Sequence, residues 1–240
     1  KISLSQMQDV KLMDREESKF LIKRNDLLLF LNDLHSDYFV FSIENKEVLA
    51  YHTAYYDTPD LDFYRAHLTG KSNRSKVRIR NYVDSKISFI ELKKKNNKGR
   101  TSKIRQEYKG DFPEVCDDAM SQFLNQNGFI SDSSLVSTLK VFYQRITLVS
   151  KRLDERITID LDLRFFNPDK EKTYREGCII EVKQLKRTHS PVFNHLQNIK
   201  YLKDPLSKYC LGLLSLSPLL SHNLFKSKIY NFNKLINSSL

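Results

Sequence analysis

The pattern that most restricts how this chain can fold is a repeated alternation of aliphatic and ionised side chains. In Lys76–Tyr82, Lys76, Arg78 and Arg80 occupy one face while Val77 and Ile79 occupy the other, because successive side chains of a strand point to opposite sides. Glu91 and Lys93 oppose Ile90 and Leu92, and Lys103, Arg105 and Glu107 oppose Ile104. Arg156, Thr158, Asp160 and Asp162 oppose Ile157, Ile159 and Leu161, while Glu181 and Lys183 oppose Ile180 and Val182. A sheet with one wet face also alternates, but usually with Thr, Ser, Gln and Lys mixed on the solvent side. Arg and Lys at two-residue spacing beside single carboxylates repel one another unless an anion lies among them. A barrel with a charged lumen and an apolar outer face under helices satisfies both sides of such strands.

The remaining pattern supplies the rest of an α+β chain. Further strands are expected at Glu17–Lys23, Val48–Asp57, Leu139–Val149, Glu155–Phe166 and Cys178–Leu185, and the segments 75–83, 87–95 and 101–109 read as a meander. Its second hairpin turns at Asn96-Asn97-Lys98-Gly99. Helices are expected over Leu27–Leu34 after an Asn25-Asp26 cap, after Pro59, over Pro113–Asn127 before Gly128, and over Pro191–Tyr201. Together these give eight strands, closed as an antiparallel barrel with flanking helices. No repeat or linker divides the 240 residues.

Charge narrows the partner. Lys+Arg 40 against Asp+Glu 29 leaves a net charge of +11, which favours an anionic ligand such as nucleotide, polyphosphate, nucleic acid or an acidic membrane. The phosphate-binding motifs G-x-x-x-x-G-K-[ST] and G-x-G-x-x-G are missing, and with Gly 6 in the chain side chains must hold any phosphate. Glu17, Glu91, Asp160 and Glu181 either neutralise neighbouring cations or offer hard oxygen ligands to Mg²⁺ or Mn²⁺. Cys116, Cys178 and Cys210 are too scattered for a disulfide framework or a zinc site. No apolar run approaches the ~20 residues of a membrane helix, so the expectation is a cytoplasmic protein.

A series of short motifs then appears in order: R-E-E-S-K-F at Arg15–Phe20, Y-Y-D-T at Tyr55–Thr58, K-V-R-I-R at Lys76–Arg80 and F-I-E-L-K at Phe89–Lys93. S-K-I-R at Ser102–Arg105, Y-Q-R at Tyr143–Arg145, E-R-I-T-I-D at Glu155–Asp160, I-E-V-K at Ile180–Lys183 and S-K-Y at Ser207–Tyr209 complete it. The set resembles the VTC domain, a branch of the triphosphate tunnel metalloenzymes. The resemblance implies an eight-stranded tunnel over residues 1–212, followed by a C-terminal extension, 213–240, whose order the sequence leaves open. It also implies a metal-dependent polyphosphate polymerase, which moves the γ-phosphoryl group of ATP onto inorganic polyphosphate and releases ADP. Arg78, Arg80, Lys93, Lys103, Arg145, Arg156 and Lys208 would hold phosphates, Lys19 and Lys183 would stand in the lumen, and Glu181, with Glu17 nearby, would bind Mn²⁺ or Mg²⁺.

The hydrolytic branch of that superfamily begins with E-x-E-x-K, whereas Arg15 stands at the first of those carboxylate positions here. That departure handicaps activation of water relative to transfer onto an acceptor that is already anionic. Two other readings remain: a triphosphate hydrolase of the same fold, and a non-catalytic polyphosphate or nucleic-acid binding module. The basic run from Lys93 to Arg105 contains no aromatic residue for base stacking, which disfavours nucleic acid. A membrane role would require a separate partner.

Overall fold

In the computed structural model, residues 1–3, 15–98, 100–129, 131, 133–185, 190–203, 207–220 and 223–237 are described. Their strands are β1 (Arg15–Lys23), β2 (Tyr38–Val40), β3 (Val48–Asp57), β4 (Arg74–Tyr82), β5 (Ile87–Lys95) and β6 (Thr101–Tyr108). They continue as β7 (Val136–Ser150), β8 (Glu155–Phe166), β9 (Glu171–Tyr174), β10 (Gly177–Leu185) and β11 (Tyr201–Lys203). The helices are α1 (Leu27–Leu34), α2 (Asp62–Leu68), α3 (Asp118–Gln126), α4 (Pro191–Leu196), α5 (Lys208–Leu216) and α6 (Asn223–Asn237). The alternating segments pair antiparallel in the order β11-β1-β10-β8-β7-β3-β4-β5-β6, with β2 added on β7 and β9 on β8.

This corrects the expected eight-stranded closed barrel: among the described residues the sheet has 11 strands and β6 does not pair with β11. Part of the reason lies in Tyr201–Lys203, whose first residue is the expected end of a helix. The helix stops at Leu196, and the segment beyond it pairs with Phe20–Ile22 of β1, using backbone groups that a closing strand would need. Tyr201 then packs edge-on against Phe20 at 5.6 Å. At the other end, the side chains of β6 are exposed from Thr101 through Glu107.

Although open, the sheet curls strongly. Lys19 of β1 and Lys93 of β5 are six strands apart in the pairing order, which on a flat sheet is about 29 Å at ~4.8 Å per strand. Lys93 is nonetheless close enough to act electrostatically on Lys19, so the two ends of the sheet face each other across a concave surface. The convex side is apolar and covered. α1 and α4 close over Phe20, Ile22, Ile157, Ile159, Ile180 and Val182, while Met120 and Phe123 of α3 close over Val77, Ile79, Ile90 and Leu92. Asp117 caps α3 by accepting from the Met120 N–H at 2.8 Å.

A third apolar cluster fills one end of the concave side, where α5 packs against Leu139, Val141, Leu163 and Phe165. Gly212 permits this approach, since a Cβ there would stand 2.6 Å from both Leu139 and Phe165 side chains. α6 adds Phe232, buried and edge-on to Tyr174 at 5.1 Å. Among the described residues no helix is long and apolar enough to cross a membrane.

The change from charged to apolar lining is made by a bulge in β8. Asp162 has φ 50°, and the β7–β8 register slips between Phe142 and Gln144. Leu161 therefore belongs to the convex cluster, whereas Leu163 and Phe165 belong to the concave one. Asp162, expected beside Asp160, turns away and pairs with Arg24 at 2.7 Å.

The two faces make opposite predictions. Ile79→Ala, which removes buried contacts beneath α3, is expected to cost ~2–5 kcal/mol in urea unfolding. Arg80→Ala relieves repulsion on the concave face and should perturb stability much less. Equal losses in the two variants would mean that the charged face packs as a core.

Candidate active site

The cross-strand register brings the ionised residues into three groups, each built on one carboxylate. Glu91 lies opposite Arg78 on one side and Arg105 on the other. Arg78 Nε donates to Glu91 Oε2 at 2.6 Å, and Lys103 Nζ donates to Oε1 at 2.5 Å. Asp160 of β8 accepts from Arg145 Nε at 2.5 Å and from Nη2 at 2.9 Å, and Lys208 at the start of α5 donates to the same carboxylate. Glu181 of β10 pairs with Lys183 and lies 3.9 Å from Lys19, which also contacts Glu17.

Burial would raise the pKa of Glu91, but Arg78, Arg80 and Lys103 hold it well below the usual carboxylate range. Asp160 is likewise kept low by Arg145 and Lys208 against the effect of burial. The lysines feel the opposite pressure. Burial brings Lys103 down to about 8 despite Glu91, with Arg78 and Arg80 adding repulsion. Lys19 and Lys183 are each brought down to about 8 by burial against the pull of Glu181.

The other expected phosphate ligands share this surface. Arg80 is buried, with Nε 3.4 Å from Thr53 Oγ1 and its guanidinium 5.9 Å from the centre of the Tyr51 ring. Lys93 stands opposite both Lys76 and Lys103, and Arg156 stands opposite Lys183. Tyr51 and Tyr143 stack at 5.3 Å, and Arg145 lies 5.1 Å and 5.3 Å from their respective ring centres. The Tyr143 hydroxyl and Thr158 Oγ1 are buried without a hydrogen-bond partner. Buried polar atoms normally have one, which leaves these two hydroxyls with unused hydrogen-bonding capacity among the described residues.

For a metal, the pertinent pair is Glu17 and Glu181, brought onto one face by the pairings Glu17↔Lys183 and Lys19↔Glu181. Burial opposes ionisation of Glu181, but Lys183 and Lys19 hold its pKa well below the usual range. Its carboxylate is thus charged at neutral pH. Among the described residues no three His, Cys, Asp or Glu side chains converge as a ready-made metal cage. Two carboxylates on one face, with Thr158 opposite Glu181 in register, do suit a hard divalent cation that takes its other ligands from phosphate and water. The Arg15 side chain, whose position distinguishes the hydrolytic pattern, lies outside the described residues.

Other residues important to the site were not singled out by alternation alone. Asp57, in Y-Y-D-T, accepts from the N–H groups of Thr58, Phe63 and Tyr64 at 2.8, 2.9 and 2.9 Å and from the Tyr209 hydroxyl at 2.5 Å. It holds the start of α2 and docks α5, so this buried carboxylate is structural. An Asp-Thr pair just before a helix is a capping signal that sequence alone could have offered. The Tyr51 and Tyr143 floor carries no such local signal.

A family model described as "VTC domain" matches residues 14–217. No curated protein sequence matches the chain significantly. Among solved structures, a Hippeastrum protein described as a candidate adenylyl cyclase with a dominant triphosphatase activity is 15% identical, with TM-score 0.51. The match covers 88% of this chain and 100% of that one, and the likeness is one of fold. A Pyrococcus horikoshii OT3 protein matches at 16% identity and TM-score 0.44, covering 83% of this chain and 98% of its own.

The lowered pKa of Lys103 predicts how anion binding depends on pH. Tripolyphosphate affinity of the free protein should weaken as pH rises through about 8, because the neutral amine cannot compensate phosphate charge. Lys103→Arg should extend tight binding to higher pH, as measured by calorimetry. Stability without anion should move the other way. The unfolded lysine, near 10.5, binds its proton more tightly than the folded one, so between these values stability rises with pH.

Proposed function

Because the chain belongs to the VTC-domain family, a branch of the triphosphate tunnel metalloenzymes, we propose that it is a polyphosphate polymerase. It would transfer the γ-phosphoryl group of ATP to a growing inorganic polyphosphate chain and release ADP. The observation that carries this reading is the arrangement of Glu91, Asp160 and Glu181, each engaged by two cations on one concave face. The Glu91 and Asp160 groups each keep one excess positive charge, the third sets Lys19 and Lys183 against Glu17 and Glu181, and in all three the carboxylates fix the positions of the cations before ligand arrives.

Phosphoryl transfer spreads negative charge over the equatorial oxygens, and preorganised cations stabilise that charge without rearranging. Arg78, Arg80, Lys93 and Lys103 would hold one stretch of phosphates, and Arg145, Arg156 and Lys208 the facing stretch, with Lys19 and Lys183 between them. Glu181, assisted by Glu17, would hold Mn²⁺ or Mg²⁺, which supplies additional positive charge to the phosphate oxygens. The terminal phosphate of an acceptor is already anionic and needs no general base. Held beside the γ-phosphate, it gains an effective concentration worth up to ~7–11 kcal/mol for well-oriented reactants. Water has no evident activating base here, which favours transfer over hydrolysis. A cytoplasmic location, with any membrane contact made through a partner, completes this reading.

With ATP and Mn²⁺, the expected products are ADP and long-chain polyphosphate with little orthophosphate, all quantified in one reaction. Stoichiometric orthophosphate without polymer would favour the hydrolase, and tight polyphosphate binding without turnover would favour a binding module. Arg80→Ala should lower kcat about 100-fold, the scale of losing one preorganised electrostatic stabiliser. Glu181→Gln should weaken Mn²⁺ binding, read by electron paramagnetic resonance, while tripolyphosphate still binds through the cations. Unchanged Mn²⁺ affinity would assign the metal to other carboxylates.

A further inference from the structure

Beyond the three carboxylate-centred groups, the same concave face continues into a region where cations face cations across neighbouring strands. Along β4 the row Arg80, Arg78, Lys76 and Arg74 runs toward the strand's start, and Lys76 pairs in register with Lys93 and Arg74 with Lys95. Like charges thus stand directly opposite one another at two successive positions on this face. Direct cross-strand repulsion destabilises a sheet, and the next position on the row, Arg78 opposite Glu91, shows the usual remedy. Among the described residues, Arg65, Lys71, Arg74, Lys76 and Lys95 form no ion pair with a carboxylate.

The last pair of the row, Arg74 and Lys95, stands in the wall of a groove of about 690 Å³ between α2 and the β4–β5 strand ends, together with Arg65, Lys71 and, from the opposite face of β5, Lys94. Asp62 is the carboxylate among its lining residues, and it accepts from the Thr58 hydroxyl at 2.8 Å. Lys94 is held by the carbonyls of Asn127 and Gly128, both at 2.8 Å, and Arg74 by the Lys71 carbonyl at 3.0 Å. Two of the cations are therefore fixed by backbone oxygens that leave their charge uncancelled. Just inside, His67 Nδ1 is buried without a partner, and burial together with Lys76, Arg74, Lys228 and Lys93 pushes the imidazole down to about 3. Burial is the larger cause, and the surrounding cations add to it, so the imidazole stays neutral.

We propose that this groove is a second anion-binding site, a track that holds the part of a polyphosphate chain extending past Lys76 and Lys93 from the concave face. The proposal takes the identity of the anion from the polymerase reading. The alternation of like charges along an extended strand fits a flexible chain carrying one charge on every unit. The groove binds length: tripolyphosphate fits within the three carboxylate-centred groups, whereas a long chain reaches both regions.

The test compares wild-type protein with the double variant Lys71→Glu/Lys95→Glu, using long-chain polyphosphate and tripolyphosphate as separate probes. The double variant should bind the long chain about tenfold more weakly and with a shallower salt dependence, since phosphate contacts that release counterions are lost. Its tripolyphosphate affinity and melting temperature should stay at wild-type values. Unchanged long-chain affinity, or an equal loss for both probes, overturns the proposal. Groove-dependent binding of single-stranded RNA tighter than that of polyphosphate also overturns it. Length-selective binding lost in the variant, from a protein that makes no polymer from ATP, leaves the groove standing and removes the polymerase reading. Polymer synthesis with unaltered length selectivity in the variant removes the groove alone.

Discussion

Repulsion among the cations of the concave face governs the rest of this structure. Two unit charges about 5 Å apart, at an effective dielectric constant of about 20, oppose one another by about 3 kcal/mol. The face places like-charged residues directly opposite one another across neighbouring strands, including Lys76 with Lys93 and Lys93 with Lys103. Glu91, Asp160 and Glu181 make the arrangement tolerable because each lies between two cations. Desolvating such pairs offsets much of their attraction, so they position charge more than they stabilise the fold. Stability comes from the convex side, where α1, α3 and α4 bury the aliphatic halves of the same strands.

This division explains which parts were legible beforehand. Val48–Asp57, Ile87–Lys95 and Glu155–Phe166 coincide with β3, β5 and β8 at both ends, because alternation and turn residues mark such strands locally. The expected lumen residues share one face for the same reason. The bulge at Asp162 was hidden, since a one-residue slip depends on φ and on what the partner strand does. Tyr201–Lys203 was hidden because three residues carry too little periodicity to distinguish a strand from a frayed helix end. Whether a sheet closes depends on two edges far apart in sequence, and no local pattern reports that β11 already occupies part of the β1 edge. The pairing of Arg78 with Glu91 also requires register, which composition does not supply.

The aromatic side chains add something that charge alone would not. Arg145 rests against Tyr51 and Tyr143, and Lys208 lies 5.0 Å from the centre of the Tyr143 ring. A ring face attracts a cation without cancelling its charge. The rings thereby help orient the guanidinium and ammonium that Asp160 also engages, without adding to the charge it cancels.

The docking of α5 also sets when the site comes into being. Asp57 meets Tyr209 across 152 positions of sequence, and Asp160 meets Lys208 across 48. Until α5 is in place, Asp160 lacks one of its two cations and Asp57 lacks its hydroxyl donor. A chain emerging from the ribosome exposes most of its basic strands before it can make either contact. The assembled arrangement is thus a late product of folding, and the growing polypeptide passes the polyanion-rich surface of the ribosome with its cations still spread along separate strands.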